Sequence, residues 1–82
     1  MKNISGGGRA KTLLQWVFSR ENDLVTCSLD QEGSQYRVRL VPHRTLRAAI
    51  VDTFDAGLSA FQWHAAVAAE LRRGGWMLVS YR

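Results

Sequence analysis

Few side chains in this sequence could do chemistry, and their spacing does not bring them together. His64 lies in an apolar helical pattern with no carboxylate on its face within one turn, so we expect a core or boundary histidine and not a general base. His43 follows Pro42 in a predicted turn, where we expect it to be solvated. Asp52 and Asp55 would share one face of a helix but not of a strand, so capping and turn roles are favoured.

Metal and cofactor chemistry also lack the residues that they need. Cys27 is the only cysteine, which excludes an internal disulfide and makes a poor zinc set with two histidines. We expect it to be a small buried side chain on a strand. The glycines before Lys11 and Thr12 suggest a phosphate-binding loop, but Ala10 stands where a glycine is required and no strand precedes the run. We therefore predict a protein that is not an enzyme, with no cofactor and no metal.

Length and charge set the broad class. With 82 residues and 46% hydrophobic content, the chain can form one domain with a single core. Of the net charge of +4, three units come from Lys2, Arg9 and Lys11, which leaves eight basic and seven acidic groups, or +1, on the remainder. We expect a disordered tail over residues 1–11 and one domain over 12–82. No membrane-length apolar run or signal-peptide pattern is seen, so we expect a cytoplasmic protein with no membrane partner.

One segment, LSAFQWHAAVAAELRRGGW from Leu58 to Trp76, predicts a long helix that the other elements pack against. Asp55 stands where a carboxylate could cap the first turn, and Gly74 and Gly75 are placed to end the helix, since a residue with a positive φ usually satisfies the last carbonyls. The half of the helix predicted to face the core holds Ala60, Phe61, His64, Ala65, Val67, Ala68 and Leu71, with Leu58 near its edge.

Alternation of apolar and polar residues predicts strands over 12–20, 24–30 and 35–41, with Gly33 at a hairpin turn. Residues 46–54 fit a helix or a strand, and the β-branched Ile50, Val51 and Thr53 favour the strand. Residues 76–81 suggest a short closing strand. The predicted fold class is α+β: an antiparallel meander of about four strands packed on one α-helix, with a short C-terminal strand, in the order ββββαβ.

The sequence F-D at 54–55, followed by an alanine-rich helix and by GGW at 74–76, resembles small uncharacterised bacterial domains. In those domains a β-meander ends in F-D and is followed by a helix and a GW pair. The resemblance extends over about residues 12–80, implies a fold and no activity, and favours a strand for 46–54. In topology alone the chain is similar to four-strand-plus-helix modules of the Whirly kind, which bind single-stranded DNA as oligomers.

The sheet face away from the helix is predicted to be partly apolar and partly basic, with Arg37, Arg39 and Arg47 as interaction candidates. Trp63 lies on the outer flank of the predicted helix, where the closing strand or tail covers it or it contacts a partner. Our first hypothesis is a non-enzymatic module that binds itself as a homodimer or binds another protein. The alternative is single-stranded nucleic-acid binding by the tail cations, these arginines and an aromatic platform.

Overall fold

The computed structural model describes residues 10–82 and confirms the predicted α+β class. Residues 1–9, and with them most of the predicted tail, lie outside the described part; the first strand already begins at Lys11. The elements, in chain order, are β1 (Lys11–Arg20), β2 (Asp23–Glu32), β3 (Gln35–Pro42), a 3-10 turn (Leu46–Ala48), β4 (Ile50–Phe54), α1 (Gly57–Arg73) and β5 (Met77–Tyr81).

The five strands form one antiparallel sheet in the order β4-β3-β2-β1-β5. The first four strands make the predicted meander, and α1 then carries the chain across the sheet to its opposite edge, where β5 pairs with β1. The helix covers one face of the sheet, and the other face is open. Within residues 10–82, no helix is long and apolar enough to cross a membrane.

The strand register places the large apolar residues on the face that α1 covers. Trp16 of β1 stands opposite Cys27 of β2, which stands opposite Leu40 of β3. Because side chains alternate along a strand, the residues two positions before and after each of these three lie on the same face. Its fully buried members are Phe18, Val25, Cys27, Leu29 and Val38.

The disputed segment contains both kinds of structure. Leu46–Ala48 forms a single 3-10 turn, and Ile50–Phe54 forms the strand that the β-branched residues favoured. The predicted hairpin turn is also confirmed, because Gly33 has a φ of 62°. A residue with a side chain is strained at that angle, which explains the glycine.

The predicted inward face of the helix is partly wrong. Ala60, His64 and Ala68 are buried as expected, but Ala65 is exposed and Phe61 is 54% exposed. The helix comes closest to the sheet along its buried residues Ala60, His64 and Ala68, which are spaced by four. The two alanines have small side chains, so the helix backbone can lie close to the sheet. That contact turns α1 so that Phe61 points to one side of the sheet and not into it.

The two ends of the helix differ in how well the sequence predicted them. Asp55 does not cap α1: the N-cap is Ala56, and no side chain bonds to the first turn. At the other end Gly75 has a φ of 92°, its N–H donates to the Arg72 carbonyl at 3.0 Å, and the Trp76 N–H donates to the Leu71 carbonyl at 3.0 Å. This pair of bonds is the Schellman arrangement, in which glycine supplies the left-handed residue.

The helix crosses the sheet diagonally. At its start, a Cβ on Gly57 would lie 3.1 Å from the Tyr36 ring, so the first turn packs against the beginning of β3. Towards its end, Ala68 packs with Phe18 and Val25, where β1 ends and β2 begins. A diagonal helix leaves two apolar corners of the sheet incompletely covered, one over β3 and β4 and one over β1 and β5.

Candidate interaction surfaces

The first uncovered corner is an open groove with a volume of about 560 Å³ beside α1. We call it the Trp63 groove. The side chains that line it are mostly aliphatic or aromatic, including two indoles. They are Leu40, Trp63, Ala66, Val67, Ala69, Glu70, Leu71, Arg73, Gly74 and Trp76. Its size and lining suit apolar side chains or a small apolar molecule.

The polar groups around the Trp63 groove are engaged within the chain. The Trp63 Nε1–H donates to Asp52 Oδ2 at 3.0 Å, which ties the helix to β4. Glu70 and Arg73 form an ion pair on the helix surface. Arg20 donates to the Gly74 carbonyl at 2.9 Å and stacks over the Trp76 ring at 4.6 Å. These contacts orient both indoles and leave the groove apolar in character.

Trp63 was predicted to be covered by the closing strand or tail, or to contact a partner. β5 lies beside β1 at the far edge of the sheet, so the closing strand does not cover Trp63, which is half-exposed. The bond from Trp63 to Asp52 was not foreseen. Its sequence signal is weak, because the two residues belong to different elements, and only the placement of β4 under the helix flank brings them together.

The second uncovered corner lies on the other side of α1. With residues about 100° apart around a helix, Phe61 and Arg72 fall on the same side of the buried His64. Arg72 lies 5.9 Å from the centre of the Trp16 ring, so this side of α1 faces β1. Tyr81 of β5 stands opposite Trp16 in the register. We call the exposed residues Leu58, Phe61 and Tyr81 the Phe61 flank.

The β5 edge, Met77–Tyr81, borders the Phe61 flank and is apolar. Met77, Val79 and Tyr81 are 70%, 57% and 72% exposed, and the strand carries no charge, proline or glycine. Beyond its end, Arg82 donates to Gln15 at 3.0 Å and accepts from it at 3.2 Å. The N–H and C=O of Arg82 therefore point towards β1. Since backbone groups alternate in direction along a strand, the N–H and C=O of the preceding Tyr81 point away from β1, to the free side of β5. A register shift between Val17 and Phe18 makes Val79 a bulge residue.

The β4 edge is chemically different. Its central residue is Asp52, a charge on the helix side of the sheet that accepts the Trp63 hydrogen bond. Asp55 follows directly after the strand. Charged residues on an edge strand hinder pairing with another chain, because strand addition would desolvate them. The two edges of this sheet therefore differ: a charged residue at the centre of β4 disfavours pairing with another strand, whereas β5 carries no charged residue.

Two of the predicted arginines, Arg37 and Arg39, lie on the open sheet face, and each is paired with a carboxylate. Arg37 contacts Glu32, and Arg39 Nε lies 3.6 Å from Asp30 Oδ2. Arg47 lies apart from them, in the 3-10 turn before β4, and Trp63 lies on the opposite side of the sheet. The four predicted interaction residues are therefore not one site. The aromatic side chains of the first four strands, Trp16, Phe18, Tyr36 and Phe54, belong to the helix-side clusters.

Two buried titratable side chains, His64 and Cys27, belong to the core. His64 is 1% exposed, and its Nε2 lies 3.1 Å from the Cys27 carbonyl oxygen, while its ring meets Trp16 edge-on at 5.0 Å. Burial lowers the pKa of His64, with the Cys27 carbonyl opposing that shift. Burial raises the pKa of the Cys27 thiol to about 11, so the thiol stays protonated and weakly nucleophilic at neutral pH. Residues 10–82 contain no group of three His, Cys, Asp or Glu side chains placed to hold a metal.

Outside the core, His43 is exposed as predicted and also has a partner. Its Nε2 lies 2.6 Å from the Thr26 hydroxyl, across the open face near the end of β3.

Comparison of the chain with protein-family models, curated proteins and solved structures found no match. Inference about function therefore rests on the surfaces described above.

Proposed function

We propose that this protein is a non-enzymatic interaction module that associates with a second copy of itself. One observation carries the proposal: the diagonal helix leaves apolar surface exposed on both of its sides, including Phe61, Trp63 and Tyr81. A small monomer rarely leaves contiguous apolar patches in water, and such patches mark association surfaces. Residues 12–82 hold eight basic and seven acidic groups, so this part of the chain adds little electrostatic repulsion between copies.

Other features agree with a binding role. The candidate acid–base group, His64, is buried against backbone and ring, and the thiol of Cys27 is buried and protonated. A free cysteine of this kind suits a reducing compartment, which supports our proposal of a cytoplasmic protein. The alternative of nucleic-acid binding has less support, because Arg37 and Arg39 are already paired with carboxylates. Single-stranded binders need stacking rings and free cations in one groove.

Sedimentation equilibrium at two protein concentrations tests the proposal. We expect the mass to approach twice the chain mass of 9.2 kDa as concentration rises. A parallel titration with a fluorescent single-stranded oligonucleotide at about 50 mM salt tests the alternative, since phosphate contacts are strongest at low salt. A single species of chain mass at both concentrations, together with tight oligonucleotide binding, would replace our proposal by the alternative.

A further inference from the structure

We infer that the second copy adds to the β5 edge, so that two β5 strands pair antiparallel across a two-fold axis and the two sheets become continuous. This inference rests on the proposed function and names the surface that it uses. An edge strand offers a row of unpaired N–H and C=O groups, and antiparallel pairing of a strand with its own copy is self-complementary. The Tyr81 backbone groups face this free side.

Charge decides between the two edges. When a strand pairs antiparallel with its own copy over its whole length, the two-fold axis passes through its centre and the central residue stands opposite its own copy. For β4 that residue is Asp52, so self-pairing would oppose two carboxylates. For β5 it is Val79, so self-pairing opposes two valines. The bulge at Val79 increases the local twist but brings no charge to the edge.

An edge pair of five residues is too small to hold a dimer alone, since stable interfaces bury about 1,200–2,000 Å² in total. The Phe61 flank supplies further surface on the same side of the molecule. Tyr81 belongs to both surfaces, and it stands opposite Trp16, over which Arg72 of the helix lies. Antiparallel pairing at β5 places Tyr81 of one copy opposite Met77 of the other, so each Phe61 flank lies beside the beginning of the second copy's β5, which covers part of it.

Complementary charges at position 79 test the pairing. We expect Val79→Lys to raise the dimer dissociation constant at least about tenfold, because it removes two buried valines and opposes two cations. Val79→Glu does the same with anions. An equimolar mixture of the two variants is then expected to recover association, since each lysine meets a glutamate. An unfolded variant would not recover association on mixing, so this rescue separates disrupted pairing from disrupted folding.

Val51→Lys is the matched control. Val51 is a 49% exposed valine on the β4 edge, comparable with Val79 at 57% on β5. Sedimentation equilibrium is the readout for all samples. If the wild type is dimeric and Val79→Lys dimerises as well as Val51→Lys does, or if the mixture stays monomeric, the β5 inference fails while the proposed self-association survives. If the wild type itself is monomeric at every concentration, both fail.

Discussion

Two alanines on the helix provide a sharp test of how α1 sits on the sheet. The sequence pattern predicts that Ala65 and Ala68 both face the core, whereas the structure buries Ala68 at 3% exposure and leaves Ala65 exposed. Ala68 packs with Phe18, Val25 and Cys27, where no space for a longer side chain is expected in a close-packed interior. Enlarging each alanine to leucine therefore separates the two orientations of the helix.

Overpacking a well-packed core costs about 1–3 kcal/mol. We expect Ala68→Leu to lower the free energy of unfolding by about 2 kcal/mol, at the middle of that range, and Ala65→Leu to change it by less than about 0.5 kcal/mol. Leucine and alanine are both good helix formers, so intrinsic propensity contributes little to the difference. For a domain of this size an m-value of about 1 kcal/mol/M makes the expected fall in urea midpoint roughly 2 M.

Urea unfolding followed by tryptophan fluorescence measures both variants. Protein concentrations must be matched, because association adds to the apparent stability of the folded state. Equal losses for Ala65→Leu and Ala68→Leu would show that α1 is turned as the sequence pattern predicted, and our description of the Phe61 flank would then be wrong.

Three further predictions concern the core, the helix end and the groove. Burial holds the pKa of His64 below its unfolded value of 6.5, so the neutral ring stabilises the fold fully above about pH 6.5 and this stabilisation is lost as the pH falls below that value. Between pH 7.5 and 5 we therefore expect the urea midpoint of the wild type to fall more steeply with decreasing pH than that of His64→Gln. Parallel curves of midpoint against pH would contradict this prediction. Gly75→Ala is expected to lower the free energy of unfolding by about 1 kcal/mol, because Gly75 has a φ of 92°, whereas Gly74→Ala, at a φ of −81°, is expected to lower it less. Thermal melts measure both variants, and equal losses would contradict the Schellman assignment. Trp63→Phe keeps a ring but removes the N–H, and we expect a loss of about 1 kcal/mol that shrinks when Asp52→Ala has already removed the acceptor. Additive losses in this double-mutant cycle would show that the bond contributes nothing.

Local patterns predicted most of the sheet. Alternation of apolar and polar residues identifies β1, β2 and β3, because a strand with one buried face needs a period of two. Gly33 and Gly75 were predicted from backbone sterics alone, and both have positive φ. These features depend on neighbours in sequence, so the sequence is sufficient for them.

The errors and omissions arise from contacts between distant parts of the chain. A helical wheel gives a wide apolar arc but does not fix its rotation, and the close approach of Ala60 and Ala68 to the sheet turned Phe61 outward. The sequence predicted a closing strand without its position, since both edges of the meander were free to receive it. The unequal edges, with Asp52 on one and Val79 on the other, became visible only once β5 was placed beside β1.

The central claim, that copies of the chain meet at the β5 edge, is tested most directly by hydrogen exchange at single amides. Within residues 10–82 the Tyr81 N–H faces the free side of β5 and has no partner strand, so its exchange is expected to slow as the protein concentration is raised through the dimer range. Amides on the free side of β4 are expected to exchange at the same rate throughout. A Tyr81 amide that exchanges equally fast at concentrations where the measured mass has doubled would contradict the account.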